Sequence, residues 1–273
     1  MVYLGREDAR AREDALPFDP RTICLTMDVE WACAEILADL CRLLDERQLR
    51  ATFFVTHSGV EVAGHERGLH PNFRRNGDTL RAFRAAHPLA DESKIDELSL
   101  YRFVLQRTHA FASEARGVRS HSLYYDSQLL EIYREIGIEY DATYLIPLKS
   151  GLLPFWKEYG ILECPTYFSD HFELKSGLTG FDTDKLALSE PGLKIINFHP
   201  NMLYINAVSN EHYMASRKDY HNHEKLLKER HSGIGVRSMF IDLLDRIVAE
   251  ALPTATLGEI NRLWRGWQPW AGR

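Results

Sequence analysis

Asp28 and Glu30 stand two residues apart at the end of the apolar, β-prone run Ile23-Cys24-Leu25-Thr26-Met27-Asp28-Val29-Glu30. Alternation along a strand sends Cys24, Thr26, Asp28 and Glu30 to one side and Ile23, Leu25, Met27 and Val29 to the other. The two carboxylates are therefore expected to share a face, where they can hold a divalent cation, divide acid and base work, or bind a cationic ligand. The plain structural alternative is a solvated strand end whose Asp caps the next helix. Two further runs end in histidine: Gly64-His65-Glu66-Arg67-Gly68-Leu69-His70-Pro71-Asn72 and Leu193-Lys194-Ile195-Ile196-Asn197-Phe198-His199-Pro200-Asn201. The repeated His-Pro-Asn ending points to two walls of one site. Arg119 and His121 fall together in Gly117-Val118-Arg119-Ser120-His121-Ser122, a strand running into a loop.

The elements that must position these groups alternate. Residues 22–28 form a strand, and Ile36, Leu37, Leu40, Leu43 and Leu44 follow helical spacing. Residues 50–56 form a second strand, so the chain opens with a βαβ unit, parallel and right-handed. Ile95, Leu98, Tyr101 and Leu105 mark another helix. Residues 127–135 mark the next, capped by Asp126 or Ser127 and stopped by Gly137. Strands are expected over 138–143, 161–168 and 193–200, a short one near 254–256, and helices over 236–251 and 258–264. This rhythm gives a single α/β unit over 21–273, barrel or open sheet, behind a polar leader at 1–20. Two stretches break it, 169–192 and the polar 201–235. The second is read as a long inserted loop region, a lid or a binding surface.

The bulk numbers narrow the function. With 33 Lys and Arg against 39 Asp and Glu the formal net charge is −6, so no global basic field favours nucleic acid or an anionic membrane. Cys24, Cys33, Cys41 and Cys164 contain no C-x-x-C pair and read as buried thiols of a reducing compartment. The first 20 residues lack the apolar core of a secretory signal, and no uncharged stretch is long enough to span a bilayer. The expectation is a cytoplasmic protein without an integral membrane segment. No Gly-x-Gly-x-x-Gly follows the first strand, which disfavours a dinucleotide enzyme.

Taken in order, these pieces resemble the polysaccharide deacetylase (NodB-homology, carbohydrate esterase 4) superfamily, from Thr22 to the last helix. Leu25-Thr26-Met27-Asp28 resembles its Thr-Phe-Asp-Asp-Gly motif, and residues 64–70 resemble Gly-His-Glu-Ile-Gly-Asn-His. Arg119 is placed like the motif-three arginine, Phe198-His199 like the late Leu-His pair, and Thr256-Leu257 like the Thr-Leu pair before the final helix. The His-Pro-Asn-Phe and Arg-Ser-His-Ser-Leu runs also resemble a subgroup associated with O-antigen and other surface-polysaccharide biosynthesis. Two departures stand out. Val29 occupies the place of the family's second Asp, and Arg74 that of its second metal histidine.

The resemblance implies a distorted (β/α) barrel holding one divalent ion, zinc foremost, with cobalt, nickel or iron as alternatives. It implies a hydrolase that removes an acetyl group from an N-acetylated sugar or polysaccharide precursor. Asp28 would be the base, and Glu30, His70 and His121 the metal ligands, with His65 the alternative third. His199 would donate a proton to the leaving amine, and Arg119 would orient Asp28. Glu163 or Asp170 would support His199 or hold the sugar. Trp31, Asn72 and Tyr204 complete the expected substrate contacts. The competing readings are a non-catalytic carbohydrate-binding relative and an amidohydrolase acting on a small amide.

Overall fold

The computed structural model describes residues 16–75, 77–88, 96–178 and 180–271. Residues 1–15 of the expected leader, and Ile95, lie outside them. Leu16 and Phe18 pack against the barrel core rather than forming a polar tail.

Among the described residues nine strands form one curled sheet in the order β6-β7-β5-β4-β3-β2-β1-β9-β8. They are β1 (Ile23–Asp28), β2 (Ala51–Val55), β3 (Glu66–Leu69), β4 (Gly117–Val118), β5 (Tyr140–Asp141), β6 (Phe155–Trp156), β7 (Leu162–Glu163), β8 (Thr166–Ser169) and β9 (Lys194–Phe198). Every neighbouring pair is parallel except β6 with β7. Such pairing requires crossovers, and the first is α1 (Ala34–Asp45), which buries the five apolar residues its spacing marked. The other helices are α2 (Gly77–Ala86), α3 (Glu97–His109), α4 (Gln128–Glu135), α5 (Asp170–Lys175), α6 (Pro200–Tyr204), α7 (Asn210–Ser216), α8 (His223–Lys228), α9 (Val236–Ala249) and α10 (Leu257–Trp267).

The expected strand at 161–168 is two strands. Pro165 has no N–H for a ladder, and the chain breaks there between β7, which pairs β5, and β8, which pairs β9. The break carries the chain from one sheet edge to the other. The chain leaving β5 meets β8 where Leu145 bridges Thr166, with Thr166 donating its backbone N–H to the Tyr144 carbonyl at 2.7 Å. The sheet thereby closes into a distorted barrel. The expected loop at 201–235 instead carries α6, α7 and α8. Ser209 and Asn222 cap the last two through their side chains.

Inside the barrel, side chains lie in layers. The lower layer is apolar: Cys24, Phe54, Tyr140, Leu162 and Ile195, plugged from below by Leu257, Ile260 and Trp264 of α10. Gly68 and Gly117 make room for it. A Cβ on Gly68 would stand 2.7 Å from the Phe54 ring, and one on Gly117 would overlap the Tyr140 ring. Glu66 braces the plug, accepting from Tyr140 Oη at 2.8 Å, Thr52 Oγ1 at 2.7 Å and the Gly258 N–H at the N-terminus of α10 at 2.9 Å. Above lies a polar layer of Thr26, Arg119, Thr166 and Asn197, and above that the strand ends. Among the described residues no helix is long and apolar enough to cross a membrane.

Candidate active site and metal centre

The carboxyl ends of β1, β3, β4, β8 and β9 face a cleft of about 340 Å³ whose lining includes Asp28, Glu30, Arg119, His121, His171, Asn197 and His199. A larger cavity of about 870 Å³ opens beside Glu66, Arg67 and Arg262 at the strand beginnings, remote from these groups.

Glu30 does not arrive by strand alternation. β1 ends at Asp28, and both Glu30 (φ +49°) and Trp31 (φ +61°) take left-handed backbone, which for non-glycine residues stores strain. That turn brings Glu30 Oε1 within 2.8 Å of His121 Nδ1 and 3.4 Å of His70 Nε2. The two histidine nitrogens are 3.3 Å apart. His121 reaches His70 because its backbone N–H donates to Pro71 O at 3.0 Å, fastening the loop after β4 to the end of β3. His70 Nδ1 lies 2.7 Å from the Arg119 carbonyl oxygen, which only accepts, so Nδ1 carries a proton and the ring is turned with Nε2 towards Glu30 and His121. A carboxylate oxygen and two ring nitrogens thus converge, all within 4.8 Å. Such a set needs a proton or a cation at its centre, and its N,N,O donors fit zinc, cobalt, nickel or iron. Burial opposes the Glu30 charge, but hydrogen bonds from His121 and His70 hold its pKa well below the ordinary 4.5.

Asp28 lies beside this cluster, its Oδ1 accepting from Arg119 Nη1 at 3.0 Å and its Oδ2 from Asn197 Nδ2 at 3.0 Å. Burial opposes its ionisation, and the charges of His70, Arg119 and His199 outweigh it, so its pKa is lowered. Arg119 is fully buried. Besides Asp28 it donates to Thr26 Oγ1, Asn197 Oδ1, Thr166 Oγ1 and the Ala142 carbonyl, at 2.7 to 3.0 Å, over the Phe54 ring. Opposite stands His199, with Nε2 3.7 Å from Asp28 Oδ2. Its Nδ1 is 2.6 Å from Asp170 Oδ1, and its backbone N–H donates to Asp170 Oδ2 at 2.9 Å. Burial disfavours the imidazolium, yet Asp170 first and then Asp28 and Glu30 raise its pKa to about 9. The neighbouring His171 is pushed down to about 4 by burial and by the His199 charge, so it is neutral.

Several expected residues lie elsewhere. Tyr204 is buried in the core, 4.5 Å beneath the Arg230 guanidinium, and does not line the cleft. Asn72 turns back to cap the Arg74 backbone N–H at 3.1 Å. Of the two roles expected of Asp170, the structure places it behind His199 as a support, buried and not open to a sugar. Trp31 packs edge-on against His121 at 5.4 Å instead of facing the cleft. Glu163 belongs to another group, in which Lys157 Nζ bridges it and Asp141 at 2.8 and 2.7 Å. His65 accepts from the Ala51 N–H at 3.3 Å, at the start of β2 and away from the cluster. Asn197 escaped the sequence reading. Its signal was a lone amide in the apolar run Ile195-Ile196-Asn197-Phe198, two residues before His199 and so on the same face.

A profile of the WbmS-like polysaccharide deacetylases matches residues 25–217. The chain belongs to that family. No curated protein matches it. Among solved structures, it is similar to a candidate polysaccharide deacetylase involved in O-antigen biosynthesis from Bordetella bronchiseptica, at 26% identity and TM-score 0.66, over 82% of this chain and 90% of that one. A candidate polysaccharide deacetylase from Mycobacterium smegmatis shares the fold at 15% identity and TM-score 0.52, over 90% of each chain.

Proposed function

We propose that this protein is a metal-dependent hydrolase that removes an acetyl group from an N-acetylated sugar, a precursor of a surface polysaccharide met in the cytoplasm. The observation that carries the reading is the convergence of Glu30, His70 and His121 beside an ionised Asp28, with a cationic His199 across the cleft. Glu30, His70 and His121 would hold one divalent ion, zinc foremost, with cobalt, nickel or iron as alternatives. When bound, that ion supplies Lewis-acid polarisation of the acyl carbonyl and of the attacking water.

The remaining chemistry belongs to side chains. Asp28 is held ionised and fixed by Arg119 and Asn197, so it accepts the proton of the attacking water without having to reorient. His199 enters the reaction protonated and gives its Nε2 proton to the leaving amine, while Asp170 fixes the ring through Nδ1. His171 is a positioning residue, stacked edge-on against the His199 ring at 5.2 Å. The apolar faces of Leu123 and Leu145 flank the floor and suit the acetyl methyl and the sugar ring.

The test is acetate release from N-acetylated sugars by protein loaded in turn with each of the four metals. Asp28→Asn should retain its metal and lose roughly 10²–10⁴-fold in rate. Absence of acetate with every metal, or an equally active Asp28→Asn, would overturn the reading.

A further inference from the structure

We infer that the substrate carries an anionic group, a carboxylate or a phosphate, gripped at the cleft mouth by Arg74, Lys175 and Arg217. This rests on the deacetylase reading of the cleft floor. The three cations come from separate elements: Arg74 from the loop after β3, Lys175 from the last turn of α5, and Arg217 from the turn after α7. All three are exposed, and all line the cleft that holds Asp28, Glu30 and His199.

Among the described residues none of the three has a carboxylate partner. Arg217 approaches only Met214 Sδ at 3.8 Å and the Tyr220 ring at 5.9 Å. Other exposed cations are of both kinds: Arg42, Arg102 and Lys225 have carboxylate partners, while Lys149 and Lys228 have no ion pair among the described residues, and what sets Arg74, Lys175 and Arg217 apart is that all three line one cleft. The cleft cannot neutralise its own rim either. Its lining carboxylates among the described residues are Asp28 and Glu30, and both are engaged in the floor by Arg119, His70 and His121. In a chain with more acids than bases, three unpaired cations converging on one mouth repel each other and create a local field for an anion. Two of them are arginines, whose planar fork matches a carboxylate or phosphate in two parallel hydrogen bonds. Between them Leu123, Phe172 and Met214, each about 40% exposed or more, offer apolar faces for the sugar ring that bears the charge.

The experiment measures binding, with turnover suppressed by Asp28→Asn in the metal-loaded protein. Three probes are titrated calorimetrically: neutral di-N-acetylchitobiose, N-acetylglucosamine 1-phosphate, and the methyl glycoside of N-acetylglucosaminuronic acid. At least one anionic probe should bind about tenfold or more tighter than the neutral sugar. That advantage should shrink as salt rises from about 50 to 500 mM. It should collapse towards one in Arg74→Gln/Lys175→Gln/Arg217→Gln, and fall partway in each single variant, with folding checked by circular dichroism. The arm that wins identifies the anion as ring carboxylate or phosphate. Equal affinity for all three probes overturns the inference. So does an advantage that survives the triple variant, because the metal centre would then be holding the anion. Acetate release by the wild type is scored separately. Anion preference without acetate release sinks the hydrolase and leaves this inference standing; acetate release without preference does the reverse.

Discussion

Replacing Asp170 with Asn isolates the charge that keeps His199 protonated. Asp170 Oδ1 lies 2.6 Å from His199 Nδ1, and Oδ2 accepts the His199 backbone N–H at 2.9 Å. Burial alone would carry the imidazole below its ordinary 6.5, yet its pKa stands at about 9, with Asp170 the largest attraction. The rise of about 2.5 corresponds to roughly 3 kcal/mol favouring the cation. Asparagine keeps the size and one acceptor, so its effect is the loss of charge, and His199 should return to about 6.5 or lower. His199 donates only while protonated, so the alkaline limb of kcat/KM should fall near pH 9 in the wild type and about two or more pH units lower in the variant. At pH 8 the variant should be roughly 30-fold slower, and at pH 5.5 nearly unimpaired. Stability follows the same sign. The contribution of His199 ionisation is complete below about 6.5 and disappears as pH rises through about 9. That slope in Tm against pH should flatten in Asp170→Asn. The assay is acetate release from pH 5 to 10. A profile scaled down uniformly, with its alkaline limb in place, would refute the argument, since Asp170 would then act by packing alone.

Removing the proposed metal ligands should be selective. Glu30→Ala, His70→Ala and His121→Ala should each drop the metal content from about one ion per chain to near zero by elemental analysis, whereas His65→Ala should retain it. Equal loss in all four would disprove the ligand set. The buried bridge of Lys157 between Asp141 and Glu163 sets the largest expected stability loss. Lys157→Met removes the cation facing the buried Asp141 and Glu163 and should cost about 3–5 kcal/mol, lowering Tm by about 10 °C. Adding Glu163→Gln should recover part of it, and a Tm within about 2 °C of wild type would refute the account. Glu163 already has its pKa raised to about 8, by burial first and then by Asp141. The wild type should therefore lose stability as pH rises from about 4.5 to about 8, in a step absent from Glu163→Gln.

The framework was legible because its signals are local. The apolar spacing of α1 and the buried runs of β1 and β9 each depend on a few neighbouring residues. The histidine ends of two strands announced the cleft for the same reason. Glu30 shows the limit. Alternation placed it beside Asp28, but a left-handed turn does the placing, and no residue type there demands such a turn. His121 was reachable only through its chemistry, since the bond that seats it, to Pro71 O, spans fifty residues. The division of 161–168 into two strands turns on Pro165 and on sheet edges meeting at long range. The helices of 201–235 are short enough that caps at Ser209 and Asn222 matter more than periodicity. Tyr204 illustrates the converse error, since an aromatic just past an active-site strand is as readily drawn into the core as into a cleft.

The Arg119 guanidinium joins three places at once: the seam of the barrel at Ala142 and Thr166, the polar layer at Thr26 and Asn197, and the carboxylate of Asp28. It works as a keystone, because the bonds that lock the arch shut are the bonds that set the charge of Asp28, the proposed base. The side chains of residues 26, 28, 119, 166 and 197, with the Ala142 carbonyl, are thus one coupled unit, in which exchanging a single side chain loosens the architecture and shifts the charge of Asp28 together. The mouth is built differently, from loops and short helices whose exposed side chains can change without touching the keystone. A protein engineer seeking a new sugar specificity should work there and leave the seam alone.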